Sequence, residues 1–207
     1  MSRVRSFDID QAVDQALLEF WKKGYEGTSV ADLTAALGIN RPSLYAAFGN
    51  KEGLFRKVVE RYVSGPGGSG VARALEAQTA HAVVERLLNA YADAVDDPTR
   101  PDGCLLVQGA LACSAEGEGI RGELAAKRRA GELALTRRLE RAQRDGDLSA
   151  DADPAELSRY VWAVCHGLAV DAAAGAGSAS HADRRRIVAR AMRSLAELRR
   201  ANDLVSP

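Results

Sequence analysis

Aromatic residues make up only 5% of this 207-residue chain, and it has three cysteines in all. Cys104, Cys113 and Cys165 follow no pairing pattern, which excludes a disulfide framework and points to a reducing cytoplasm. No apolar run approaches the roughly 18–20 residues a membrane-spanning helix needs. The opening M-S-R-V-R-S-F-D has no apolar segment of the kind a secretory leader carries. His81, His166 and His181 are scattered without paired ligand spacing, so no metal is expected. G-x-S-x-G, the phosphate-binding P-loop and the dinucleotide fingerprint are all absent, so neither catalysis nor a cofactor is expected. Net charge is absent too: 28 basic residues offset 28 acidic ones. Taken globally, that balance argues against a nucleic-acid partner, so any such role must rest on where the charges lie. No window shows sustained period-2 alternation of β-branched residues, which excludes a sheet.

What remains is a hydrophobic fraction of 46% in Ala-rich, helix-periodic segments, long enough for a substantial core. The fold expected is all-α. Helix one covers about Asp8 to Lys23, with Ile9, Val13, Ala16, Leu17 and Phe20 as its apolar stripe and Gly24 closing it. The next stretch, T-S-V-A-D-L-T-A-A-L-G-I-N-R-P-S-L-Y-A-A-F-G-N-K-E-G-L over 28–54, is the most informative in the chain. Val30, Leu33 and Leu37 give one apolar helical face, and either Thr28 or Ser29 can cap its start. Gly38 suits a left-handed stop, Asn40 a second cap, and Pro42 a first helical turn. Leu44 and Phe48 point back, leaving Arg41, Pro42, Ser43 and Tyr45 outward. Two short helices joined by a Gly turn, the second with a polar outer face, form a helix-turn-helix.

The residues Gly38, Ile39, Asn40, Leu44, Tyr45, Phe48, Lys51, Glu52 and Leu54 match the motif G-[VI]-[ST]-x-x-x-[LIV]-Y-x-x-F-x-x-K-[ED]-x-L. On them the chain resembles the TetR family of transcriptional regulators, over roughly residues 8–63. Asn40 stands where Ser or Thr is usual and caps equally well. Ala46 and Ala47 stand where the family often has His, which removes those contacts. The resemblance implies a three-helix DNA-binding domain over 1–64 and a helical ligand-binding and dimerisation domain over 65–207, divided at G-P-G-G-S-G (65–70). It implies a homodimer on a palindromic operator, most often as a repressor, released by a small effector. The DNA-contact set is then Thr28, Ser29, Asn40, Arg41, Pro42, Ser43, Tyr45 and Lys51, with Tyr45 and Lys51 on phosphates. Residues 41–61 hold five basic against two acidic side chains, net +3, and Arg3 and Arg5 extend the charge along an N-terminal arm.

Beyond the linker, five or so helices are expected, including a short all-apolar one over C-L-L-V-Q-G-A-L-A-C (104–113), buried on every side. A mainly apolar effector is expected among Tyr91, Cys104, Gln108, Trp162 and His166, against the alternative that these only pack a core. Trp21, on helix one, is expected to stand apart from that pocket. The basic run Lys127 to Arg129, with Arg137, Arg138, Arg141 and Arg144, reads as a solvated face. Cys104, at a helix start, reads either as a buried structural thiol or as a thiol or electrophile sensor. An all-α enzyme using the C-terminal cavity is the remaining alternative. The last two helices, near 154–174 and 182–201, are expected to pair with a second subunit through Val161, Val164, Leu168, Ile187, Ala191, Leu195 and Leu198, with small residues at Ala163, Gly167, Ala169 and Ala172 to Ala174 allowing close approach.

Overall fold

The computed structural model describes residues 8–94, 100–109, 111, 114–175 and 179–195. Arg3, Arg5, Cys113 and Leu198 lie outside the described residues. Ten α-helices and no strand occur among the described residues. They are α1 (Ile9–Gly27), α2 (Val30–Leu37), α3 (Arg41–Phe48), α4 (Lys51–Ser64), α5 (Ser69–Leu75), α6 (Ala80–Asp93), α7 (Leu105–Gln108), α8 (Glu118–Arg144), α9 (Pro154–Ala173) and α10 (His181–Ser194).

Short polar side chains start most of these helices. Asp8, Ser29, Asn40, Asn50, Thr79, Asp153 and Ser180 each accept a backbone N–H from the first turn that follows. Between α4 and α5 the chain turns so tightly that side chains do not fit. A Cβ on Gly67 would lie 2.0 Å from the Tyr62 ring, and one on Gly68 would lie 1.8 Å from the Val63 carbonyl. The glycine-rich stretch expected to be a linker is thus a packed corner, and Ser69 already belongs to α5.

Two apolar cores form. The first gathers α1 to α4 around Phe20, Leu33, Leu44, Phe55 and Val58. The second gathers α5, α6, α9, α10 and the C-terminal half of α8 around Leu87, Leu88, Leu135, Leu139 and Val161. The division at residue 64 does not separate them cleanly. Leu105 and Val107 of α7, Ile120 and Leu124 of α8, and Ala169 of α9 are all buried in the first core.

Three expectations need correction here. The all-apolar helix over 104–113 is a single turn, and Leu111 is exposed. Gly109, whose carbonyl is taken by Tyr25, leads the chain out of it. Arg138 is not on a solvated face. It is buried, and its guanidinium donates to the carbonyls of Leu75, Ala77 (2.7 Å) and Gln78 (3.0 Å), closing the C-terminal end of α5. Finally, Val161, Leu168, Ala169, Ala191 and Leu195 are consumed by the subunit's own cores, and Ala172 is buried within the subunit. Of the expected set, Ile187, Ala163 and Gly167 are exposed and Val164 is half-buried, and Tyr160 joins them on the outer face of α9 and α10.

Candidate nucleic-acid interface and its coupled cavity

The helix-turn-helix is built from local bonds. Ser29 accepts the Asp32 N–H at 3.0 Å while the Asp32 carboxylate accepts the Ser29 N–H at 2.8 Å, a reciprocal capping box. Gly38 stops α2 at φ 64°, where a Cβ would be strained, and the Ile39 N–H returns to the Thr34 carbonyl. Asn40 Oδ1 accepts the Ser43 N–H at 2.9 Å and opens α3, with Pro42 in its first turn. Leu44 and Phe48 anchor α3 in the core, which turns Arg41, Pro42 and Tyr45 to solvent and leaves Ser43 half-buried. Neither Arg41 nor Tyr45 has a hydrogen-bond or ion-pair partner among the described residues.

Two members of the DNA-contact set sit differently from the expectation. Thr28 is fully buried, and its hydroxyl donates to the Gly24 carbonyl at 2.7 Å, so Ser29 alone caps α2 and presents a hydroxyl outside. Lys51 is turned inward. Its ammonium donates to the carbonyls of Tyr25 (2.9 Å) and Thr28 (3.1 Å) and stands 4.2 Å over the Tyr25 ring. It closes the end of α1, as a cation at a helix C-terminus can. Lys51→Ala is therefore expected to lower stability by about 2 kcal/mol even without DNA, from two lost charge-assisted bonds. A thermal melt of the free protein measures this, and an unchanged melting temperature would remove the bracing role.

The basic character of 41–61 is also narrower than its charge count. Arg56 is paired with Glu52 and with Glu123 of α8 (2.8 Å), and Arg61 with Asp10 and Asp14 (2.8 Å) of α1. Both brace α4 against neighbouring helices. Arg41 and Lys57 remain as exposed cations of this stretch without a carboxylate partner among the described residues.

The junction with the other helices centres on α1. Gly24 breaks α1 at φ 72°, ψ 178°. The break frees the Tyr25 N–H, which donates to the Gly109 carbonyl at 2.8 Å. Trp21 Nε1 donates to the Gly103 carbonyl (3.3 Å), and Gln108 Nε2 to the Trp21 carbonyl (3.2 Å). The Ser114 N–H and hydroxyl both donate to Glu26, which holds that carboxyl below its ordinary range. The segment around α7 is thus tied to α1 by one main-chain bond and by side-chain bonds from Trp21, Gln108 and Ser114.

Two cavities flank that segment. The larger, about 370 Å³, is walled by α4, α5, α6, α7, α8 and α9, and brings together four of the five expected ligand residues: Tyr91, Cys104, Trp162 and His166. Gln108, the fifth, does not line it; it is the junction residue just described. A smaller space of about 60 Å³ shares Tyr91 and Cys104 and reaches Trp21 and Tyr62. Trp21 lies outside the larger cavity but lines the smaller one, where its ring packs edge-on against Tyr62 at 4.8 Å. Tyr91 and Trp162 meet edge-on at 5.9 Å, and Trp162 lies 5.5 Å from His166. Burial, and then the Arg128 charge, hold His166 below its ordinary value. Burial, followed by the nearby Cys104 sulfur, pushes the Tyr62 and Tyr91 phenols well above their usual range. Cys165 is buried, and burial pushes its thiol up.

Sequence reasoning missed Trp21, Tyr62, Lys127 and Arg128 as cavity-lining residues. No local signal marks them: Arg128 sits in a basic run, yet its guanidinium crosses to the Leu106 carbonyl.

Comparison with known proteins covers nearly the whole chain. Residues 12–58 match the model of bacterial regulatory proteins of the tetR family, and residues 80–199 match the tetracyclin repressor-like C-terminal domain. The HTH-type transcriptional repressor ComR of Escherichia coli (strain K12) is 31% identical over 175 residues, 84% of this chain and 83% of ComR. The repressor BdcR of the same organism is 52% identical over 61 residues, 30% of this chain and 31% of BdcR. Among solved structures, a cysteine mutant of the TetR family regulator CifR, complexed with 26bp double-strand operator DNA, is 38% identical, with a TM-score of 0.88 over 93% of this chain and 100% of that one. These relatives are regulators of transcription rather than enzymes, and the likeness runs from α1 through α10: the chain belongs to the TetR family of DNA-binding transcriptional regulators.

Proposed function

We propose that the chain is a ligand-released repressor that binds a palindromic operator as a homodimer in the cytoplasm. The observation that carries the reading is the exposed face of α3. Arg41, Pro42 and Tyr45 project from a helix whose start, turn and inner face are all fixed, and they have no bonding role inside the subunit. N-terminal residues of such a helix reach base edges in the major groove, while helix N-termini and hydroxyls hold phosphates. CifR, similar over 93% of this chain and complexed with operator DNA, supports DNA as the partner. A dimer through the outer face of α9 and α10 would set two α3 helices about 34 Å apart, one per successive major groove.

Release follows from the junction. Cys104 and Leu106 line the larger cavity, and Gly103 and Gly109, on either side of them, accept bonds from Trp21 and Tyr25. A ligand that displaces α7 therefore pulls on α1, and its preference for the displaced state limits the effect to a coupling of about 1–3 kcal/mol.

Selection of bound sequences from random DNA, followed by titration of the palindrome recovered, tests the reading. Arg41→Ala should cost about 1–3 kcal/mol and relax the preference at one base position in each half-site. Tyr45→Phe should weaken all sequences alike, as loss of a phosphate contact does. If neither variant changes operator binding, α3 is not the reading helix.

A second reading has one observation of its own. Cys104 lines both cavities, with Tyr91, so a thiol-reactive effector would find it there. Cys104→Ser would abolish release by a thiol-reactive compound and spare release by an unreactive one.

A further inference from the structure

The larger cavity carries charge of one sign only. Val63, Val71, Leu75 and Leu106 give it aliphatic walls. Lys127 and Arg128 of α8 and His166 of α9 stand at one side, and no Asp or Glu lines it. Neither Lys127 nor Arg128 has an ion-pair partner among the described residues. One Arg128 N–H group is used on the Leu106 carbonyl, which holds the guanidinium at the cavity edge and leaves other donors of its fork unused. Glu132 shares the adjoining outer groove with Arg128 and His166 and acts on the His166 ring, but it does not line this cavity and is 3.5 Å from Arg159. Trp162 adds a buried donor: its ring is 7% exposed, and its Nε1–H has no partner.

Such a lining offers donors and positive charge, with no carboxylate in the cavity wall itself to answer them. A neutral hydrocarbon filling the space would leave the cations less hydrated and unpaired, which is costly. A cationic ligand would add repulsion. An apolar body ending in a carboxylate satisfies both the wall and the charges, and a planar carboxylate suits the guanidinium fork.

We propose that the effector of this regulator is an apolar monocarboxylate, its carbon body against Val71, Leu75 and Trp162 and its carboxylate against Arg128 and Lys127. This inference rests on the reading of the chain as a ligand-released repressor and adds the chemical class of the ligand.

Calorimetric titration of the full-length protein with straight-chain carboxylates from butanoate to decanoate, and with the alcohol and amine of each length, tests it. One carboxylate is expected to bind at least tenfold more tightly than its alcohol, and its amine is expected not to bind. Arg128→Gln together with Lys127→Gln should remove that tenfold advantage and leave alcohol binding unchanged. Because Arg128 also holds the Leu106 carbonyl, Lys127→Gln alone is tested beside it; its exposed, unpaired ammonium has no packing role, and it should lose part of the advantage with no change in melting temperature. The bound carboxylate should also weaken operator binding. Equal affinity for carboxylate and alcohol, an unaltered preference in both variants, or no binding across the series would overturn the proposal. Operator titration of the ligand-free protein separates the two levels. Operator binding without a carboxylate preference defeats this inference alone, whereas absence of operator binding defeats the functional reading beneath it.

Discussion

Ile187→Asp is expected to give a folded monomer that has lost operator affinity by at least a hundredfold. Ile187 is 44% exposed on α10, so an aspartate there costs the subunit little. Tyr160 and Val164 of α9 stand with it on one outer face, and Gly167 has no atom within 4 Å of where a Cβ would lie. A face of this kind, apolar and stepped down by small residues, lets two helices approach closely. In the proposed dimer an aspartate at its centre would face its own copy across the two-fold axis beside Asp183, and burying like charges together is expensive even with Arg186 and Arg190 in the same groove. Losing the second subunit removes the second half-site, and linked binding typically gains 10²- to 10⁴-fold over a single site. Light scattering should report the 22.0 kDa chain mass where the parent gives about twice that. A dimeric variant with parental operator affinity would place the interface elsewhere.

Gly24→Ala is expected to lower stability by about 3 kcal/mol. At φ 72°, ψ 178° the residue occupies a region that is essentially glycine-only, worth about 1–3 kcal/mol for any other side chain. The added methyl would also lie 3.3 Å from the Gly109 carbonyl, which accepts the neighbouring Tyr25 N–H, so relief of the contact would stretch that bond. For a chain of this size the loss corresponds to a fall in melting temperature of roughly 6–12 °C. The same variant should respond less to effector, because the break in α1 is one of the links from α7 to the DNA-binding helices. Gly38→Ala is the control. Its φ is 64°, yet nothing lies within 4 Å of its Cβ position, so only backbone strain is added. If the two variants melt alike, the Gly109 contact contributes nothing.

The helix-turn-helix was legible in the sequence because its determinants are local. Ser29 and Asp32, Gly38, and Asn40 with Ser43 act across three or four residues, and the periodicity of Leu44 and Phe48 orients α3. The cavity was partly legible: Tyr91, Trp162 and His166 are aromatic or polar groups at otherwise apolar positions, which marks an interior with chemistry in it. Gln108 shares that description and sits instead at the junction, because its amide meets main-chain groups of residues 21 and 102 that no spacing rule connects to it. Arg128 and Arg138 were illegible for the opposite reason. In a run of arginines on one long helix, only the neighbouring backbones decide which guanidinium turns inward. The α9 and α10 faces show the same limit. Periodicity says that Val161, Leu168 and Ala191 are covered, but not whether the cover comes from the same chain or a second copy, and here the subunit covers them itself.

The length of α8 bears on modularity. At 27 residues it spans about 40 Å, with Ile120 and Leu124 packed among the DNA-binding helices and Leu135 and Leu139 in the other core. Residues 1–64 are therefore not an interchangeable cassette. Grafted onto another regulator's helices, they would bring an apolar surface shaped to α7 and the start of α8, and the graft would succeed only if residues 103–124 travelled with them. The unit that would have to move together is discontinuous in sequence, its second piece lying beyond residue 100.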